Sequence, residues 1–157
     1  MLRAYCVVAS CLITGLTAAG KDSEIMAAIE KEIGILAGTW TVVKMEANGR
    51  SFIQKDSKLP APKLVVKDGN ATFVTPDGNS PKGKIAKAID PTSKLKKLTF
   101  PLEGNITFFG IYKIEGDKLS VCGEAVDLKQ EKNPEDQRPN DFDSNKGMLI
   151  VLERDKK

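Results

Sequence analysis

The chain has no histidine, one tryptophan, two tyrosines and three cysteines among its 157 residues. The missing histidine removes both the commonest general base and the commonest zinc ligand. Neither a Gly-x-Ser-x-Gly elbow nor a Cys-x-x-Cys pair is present, so the familiar nucleophilic and dithiol arrangements are absent too. Charge of one sign is also scarce: 24 basic residues face 21 acidic ones, a net charge of +3. With these spread along the chain, nothing points to nucleic acid or an anionic membrane as a partner. Beyond Leu16 no long apolar run exists, so no membrane span is expected in the mature form. No cofactor is implied.

Cysteine is scarcer than its count suggests. Cys6 and Cys11 lie in the apolar N-terminal stretch, which leaves Cys122 alone in the remainder. A lone cysteine forms no internal disulfide, so stability must come from a core. In Lys118-Leu119-Ser120-Val121-Cys122 it is expected to be a small buried hydrophobe, since a reactive thiol would need an adjacent base.

The N-terminus has the build of a targeting segment. Arg3 supplies a minimal positive region, Ala4 to Leu16 an apolar run, and Thr17-Ala18-Ala19 the small residues a signal peptidase accepts. Residues 1–19 are therefore expected to be a signal peptide cleaved after Ala19, leaving an exported domain over 20–157. Two alternatives stay open: Val8-Ala9-Ser10-Cys11 read as a lipobox, with a lipid anchor at Cys11, and an uncleaved anchor.

The spacing of Ile25, Ile29, Ile33 and Leu36 predicts an amphipathic helix over about 23–36, capped by Asp22 or Ser23 and stopped by Gly38. Glu30, Lys31 and Glu32 are assigned to its outer face. Strand-and-turn texture follows, with Asn48-Gly49 and Asp68-Gly69 as hairpin signals, and turn residues recurring about every ten positions. Gly83 to Ile89 is read as a strand, and no second helix is expected. The pattern predicts an all-β fold, an up-and-down antiparallel barrel of about eight strands over 38–154, preceded by the short helix. Glu124 to Gly147 is read as one long exposed loop, mobile except where Arg138-Pro139-Asn140-Asp141-Phe142 is anchored and Phe142 tucks against the barrel. The tail Asp155-Lys156-Lys157 is expected to be solvated.

Motif-like stretches fail on inspection. Gly78-Asn79-Ser80-Pro81-Lys82-Gly83-Lys84 has P-loop spacing, but Ile85 replaces the Mg²⁺-binding hydroxyl and no helix is expected to follow. Asp141-Phe142-Asp143-Ser144-Asn145 alternates oxygen side chains as a calcium loop does, yet its glycine comes one place late and Leu152 stands where the closing glutamate belongs. Lys94, Lys96 and Lys97 are read as a solvated strand face. Asn70-Ala71-Thr72 and Asn105-Ile106-Thr107 are glycosylation sequons, relevant only in a host that glycosylates exported proteins.

Gly38-Thr39-Trp40 resembles the Gly-x-Trp opening of lipocalins, whose tryptophan closes one barrel end beneath a basic residue of the last strand. Arg154 is placed for that part. Other stretches extend the likeness: Leu36–Val43, Thr75-Pro76-Asp77-Gly78, Gly110-Ile111-Tyr112, Gly116–Cys122, Arg138–Phe142 and Leu149–Arg154. In order and spacing they resemble a family of lipocalin-like domains abundant in exported planctomycete proteins, although that pattern often has Thr-Glu where Asn140-Asp141 stands here. The resemblance implies a barrel and an exported location. It brings no activity or ligand with it.

An eight-stranded barrel either fills itself with side chains or holds one small ligand. The candidate lining is Val42, Leu64, Val66, Phe73, Phe108, Tyr112 and Val121, with Gly38, Trp40 and Arg154 closing one end. The leading expectation is a non-enzymatic, monomeric module that binds a small apolar ligand. The alternative is a cell-envelope protein–protein interaction module using the 124–147 loop or the N-terminal helix. A carboxylate-based hydrolase comes third, because the pairing of acids in space cannot be read from sequence.

Overall fold

The structure, a computed structural model, describes residues 17–54, 60–78, 82–102, 104–130 and 133–156. Most of the expected signal segment, and residues 79–81 of the P-loop-like stretch, lie outside these. A helix, α1 (Thr17–Leu36), precedes the first strand. Ten strands are described in chain order. They are β1 (Gly38–Ala47), β2 (Arg50–Gln54), β3 (Lys63–Lys67), β4 (Asn70–Val74), β5 (Lys82–Lys84), β6 (Ile89–Asp90), β7 (Lys96–Pro101), β8 (Ile106–Glu115), β9 (Lys118–Asp127) and β10 (Met148–Arg154). A one-turn helix, α2 (Ile85–Ala88), links β5 to β6.

All ten strands belong to one antiparallel sheet, curled into a half-barrel. The ladder path runs β5-β4-β3-β1-β10-β9-β8-β7-β6, and β2 branches off β1. First and last strands pair directly, Trp40 opposite Arg154 and Val42 opposite Leu152. Among the described residues no ladder joins β5 to β6, the two ends of the path; α2 carries the chain across that gap instead. The irregularity between Val42 and Lys44 has a clear consequence. Below it β1 pairs with β3, above it with β2, so one edge of one strand serves two partners.

Local chemistry accounts for the hairpins. Asn48-Gly49 and Asp68-Gly69 both have positive φ at each residue, the backbone a two-residue hairpin turn demands. Inward-facing side chains form one core, including Trp40, Val42, Val66, Phe108, Tyr112, Leu119 and Leu152, and α1 adds Ile29, Ile33 and Leu36 to it. On the opposite face of β8, β9 and β10, Phe109, Ile111, Cys122 and Val151 are also buried. Arg138 and Asp143, from the connection between β9 and β10, reach that face. Arg138 donates to the carbonyls of Leu98 and Gly110, and the thiol of Cys122 lies 3.7 Å from the Asp143 carbonyl oxygen.

Several expectations are corrected. Glu124–Asp127 belongs to β9 rather than to the loop. Ile85–Ala88 is a helical turn, not strand, because Ile85 and Ala88 both turn inward where the chain crosses between sheet edges. Glu32 does not face solvent: it is only 5% exposed and pairs with Lys96 at 2.6 Å. It sits one turn before Leu36 and one after Ala28, on the packing face. Lys96 and Lys97 share no face, since Lys97 bonds to Glu135 instead. Asp155 is tied down, accepting from Thr41 Oγ1 at 2.5 Å and from Lys63 Nζ at 2.7 Å.

Candidate functional site

The base of the site is assembled at the C-terminus of α1. The last carbonyls of a helix lack partners within it, and here the sheet supplies them. Trp40 Nε1 donates to the Leu36 carbonyl at 2.8 Å. Arg154 donates to the carbonyls of Ile35 and Ala37, both at 2.6 Å. The Arg154 guanidinium lies 4.0 Å from the centre of the Trp40 ring, a cation–π stack worth on the order of 1 kcal/mol. Gly38 makes the arrangement sterically feasible. Its φ is +127°, and an added Cβ would stand 3.0 Å from Arg154 Nη1. Glycine, tryptophan and arginine thus meet in one cap.

The curled sheet also forms a half-open cavity of about 190 Å³, lined among the described residues by apolar side chains. Leu64 of β3 and Ala71 and Phe73 of β4 line it from one end of the sheet path. Leu98 and Phe100 of β7, Phe108, Val121, Met148, Ile150 and Leu152 line the rest, together with Ile85 of α2 and Leu102. Four of the seven residues expected to line the barrel, Leu64, Phe73, Phe108 and Val121, do line this cavity. Val42, Val66 and Tyr112 are buried in the same core but do not line it.

Phe108 is positioned by two glycines. Gly110 and Gly123 are cross-strand partners. A Cβ on either would collide with the Phe108 ring, at 2.6 Å from Cε1 in each case. Only a glycine pair leaves the ring room to lie over the β8–β9 ladder and form the cavity wall. The sequence signal existed in Gly110 flanked by aromatics, but the partner glycine could be found only through the register.

Comparisons with known protein families, with curated proteins and with solved structures find no match. The chemistry of the site must therefore be argued from its own residues.

The cavity contains no titratable group. The nearest buried polar cluster lies deeper, where α1 meets the sheet. Lys96 Nζ stands 5.9 Å from the centre of the Tyr112 ring while it pairs with Glu32. The Tyr112 hydroxyl is buried and, among the described residues, has no hydrogen-bond partner. Burial, and then the negative charge of Glu32, push its ionisation well above the ordinary tyrosine range. This hydroxyl stays neutral. Burial also pushes the Cys122 thiol up to about 11, so a thiolate nucleophile is not on offer. Among the described residues, no group of three or more Cys, Asp or Glu side chains is placed to hold a metal ion. The calcium-like stretch is engaged internally: Asp143 Oδ1 accepts from Asn145, and Asp141 Oδ2 from Lys146.

Arg138 is the residue that sequence reasoning undervalued. Its side chain is 8% exposed, stacks 5.4 Å from the Phe109 ring centre, and bonds Thr99 Oγ1 and both oxygens of Glu135. The hydrogen bond from Arg138, with a second from Lys97, holds the Glu135 carboxyl at about 2. Phe142, half-buried, lies beneath Lys113 at 5.3 Å. These contacts tie the chain between β9 and β10 to β7 and β8.

Proposed function

We propose that this chain is an exported lipocalin-like module whose curled sheet closes into an up-and-down barrel and carries one small apolar ligand. In this reading residues 1–19 are the removed signal, and the Gly38, Trp40 and Arg154 cap is the closed end. The observation that carries it is the apolar cavity of about 190 Å³ in the curled sheet. Such a space is poorly hydrated, because water needs two to four polar partners. An engineered cavity of about 150 Å³ with a similar lining stays dry and binds benzene. By proportion this one holds about eight heavy atoms, which favours a single ring or a short alkyl chain over a polycyclic cargo. With no polar group in the lining, the buried part of the ligand must be neutral.

Native mass spectrometry of the mature protein, purified gently from its own host, tests the reading. The expected result is an added mass on the order of one hundred daltons, lost on denaturation. A bare chain that also fails to take up toluene or 1-octanol would mean a self-filled core.

The exposed first half of α1 favours a second reading, as an envelope interaction module. Lys21 to Ala27 are all solvent-exposed, with Met26 at 54%. Under this reading, deletion of residues before Ala28 abolishes a defined complex while the melting temperature is unchanged. Persistence of the complex would exclude the helix as its contact.

A further inference from the structure

The gap between the two sheet ends has a chemistry of its own. Strand β5 pairs with β4, Ala71 opposite Gly83 and Thr72 opposite Lys82, and its other edge carries no ladder among the described residues. Across the gap, β6 covers Leu98 and Lys97 of β7, which leaves Thr99 to Pro101 without a ladder partner on that side among the described residues. The two edges approach each other at Gly83 and Phe100. A Cβ on Gly83 would stand 2.8 Å from Cε2 of Phe100, so the Phe100 ring lies against bare β5 backbone. Phe100 also lines the cavity. One half-buried ring therefore separates the cavity from the open seam.

The seam is flanked by positive charge. Lys82 and Lys84 bracket Gly83 on β5, and Lys87 follows on α2; all three are exposed. None of them has an ion-pair partner among the described residues, whereas Lys63, Lys96, Lys97, Lys113 and Lys146 each have one. Two acids lie close in the fold, Asp68 in the β3–β4 turn, whose Gly69 carbonyl accepts from the Ile85 N–H, and Asp90, whose carboxylate accepts from Thr92 and Ser93; among the described residues neither forms an ion pair with these lysines. Phe100, which lines the apolar pocket, thus lies against a strand and turn that carry three ammonium groups without an ion-pair partner among the described residues, each on a stem long enough to swing over an edge.

We infer that the ligand is an anionic amphiphile of the alkyl-carboxylate class, entering through the β5–β7 seam past Phe100. Its chain occupies the apolar cavity, and its head group stays at the surface among Lys82, Lys84 and Lys87. The inference rests on the carrier reading and adds to it the head-group charge and the route of entry. The lysines raise the local concentration of anions at the seam and discriminate against cations of equal chain length. Because the head groups stay solvated, the gain is modest and salt-sensitive.

The test compares octanoate, 1-octanol and octylammonium, equal in chain and different in head, on the full domain by calorimetry at low and high salt. Octanoate is expected to bind about tenfold tighter than 1-octanol at low salt, and octylammonium weakest. The advantage should vanish in high salt and in the triple variant Lys82→Gln, Lys84→Gln, Lys87→Gln, with 1-octanol affinity unchanged. Gly83→Ala should slow octanoate association several-fold by pressing on the Phe100 ring. Equal binding of octanoate and 1-octanol would overturn the head-group inference and leave the carrier reading intact. Unchanged association in Gly83→Ala would overturn the seam route. Binding of none of the three would remove the carrier reading, and this inference with it.

Discussion

Arg154 does three jobs with one guanidinium: it stacks on Trp40, caps Ile35 and Ala37, and approaches Asp117 at 3.5 Å. Arg154→Ala is expected to destabilise the domain by about 2–3 kcal/mol, from the lost stack and two stranded carbonyls. Arg154→Lys should recover less than half, since an ammonium lacks the flat fork. Urea unfolding followed by Trp40 fluorescence measures both. Glu135 gives a pH prediction of definite sign. Its pKa is depressed from 4.5 to about 2, chiefly by Arg138, so its contribution is present above 4.5 and lost as pH falls towards 2. Asp90, lowered from 3.8 to about 2 by Ser93 and then Thr92, follows the same sign over pH 4 to 2. Protection against hydrogen exchange at Arg138 and Asn140–Phe142, taken relative to the intrinsic exchange rate at each pH, should fall across the Glu135 window and stay flat in Glu135→Gln. An identical fall in both proteins would contradict the assignment. The cap residues were legible in the sequence because Gly-x-Trp and a terminal arginine are a compact pattern. Glu32 was not, since a charged residue on a packing face looks like a surface residue until Lys96, 64 positions away, is seen against it.

At the level of elements, the helix divides in two. Ile29, Glu32, Ile33 and Leu36 pack on the sheet, while Lys21 to Ala27 stay exposed. Deleting residues before Ala28 should therefore shift the melting temperature by less than about 2 °C. Leu36→Ala should cost about 2–4 kcal/mol through the cavity it leaves. The Gly110–Gly123 pair makes the opposite demand. Gly123→Ala forces a methyl into the Phe108 ring and the Phe109 carbonyl, costing about 2 kcal/mol or more by overpacking. Ring-current shifts from Phe108 should move in the same variant. Hairpins at Asn48-Gly49 and Asp68-Gly69 were readable because turn chemistry is local. The helical turn at Ile85–Ala88 was not: four residues are too few for a periodicity, and the turn exists because the chain must cross between two sheet edges. Arg138 was read as part of an anchored stretch, but its acceptors on β7 and β8 could not be named from sequence for the same kind of reason.

For the molecule as a whole, the reading of the strands named part of the cavity lining, and the ladder order decided the rest. Leu64, Phe73, Phe108 and Val121 were among the residues so named. Ile85, Leu98, Phe100 and Met148 join them only because the sheet curls until β4 and β5 face β7 and β10. The same curl leaves the space unfilled, since small Ala71 and Gly83 oppose large Phe100 across the gap. Filling it should be tolerated: Ala71→Leu is expected to hold or raise stability while abolishing uptake of apolar ligand. The decisive measurement is a methyl NMR titration of the mature domain with 1-octanol. Saturable shifts at Leu64, Val121, Ile150 and Leu152, absent in Ala71→Leu, are predicted. Unmoved methyls at these positions, or shifts confined to the surface around Phe52 and Ile53, would contradict a ligand site in the curled sheet.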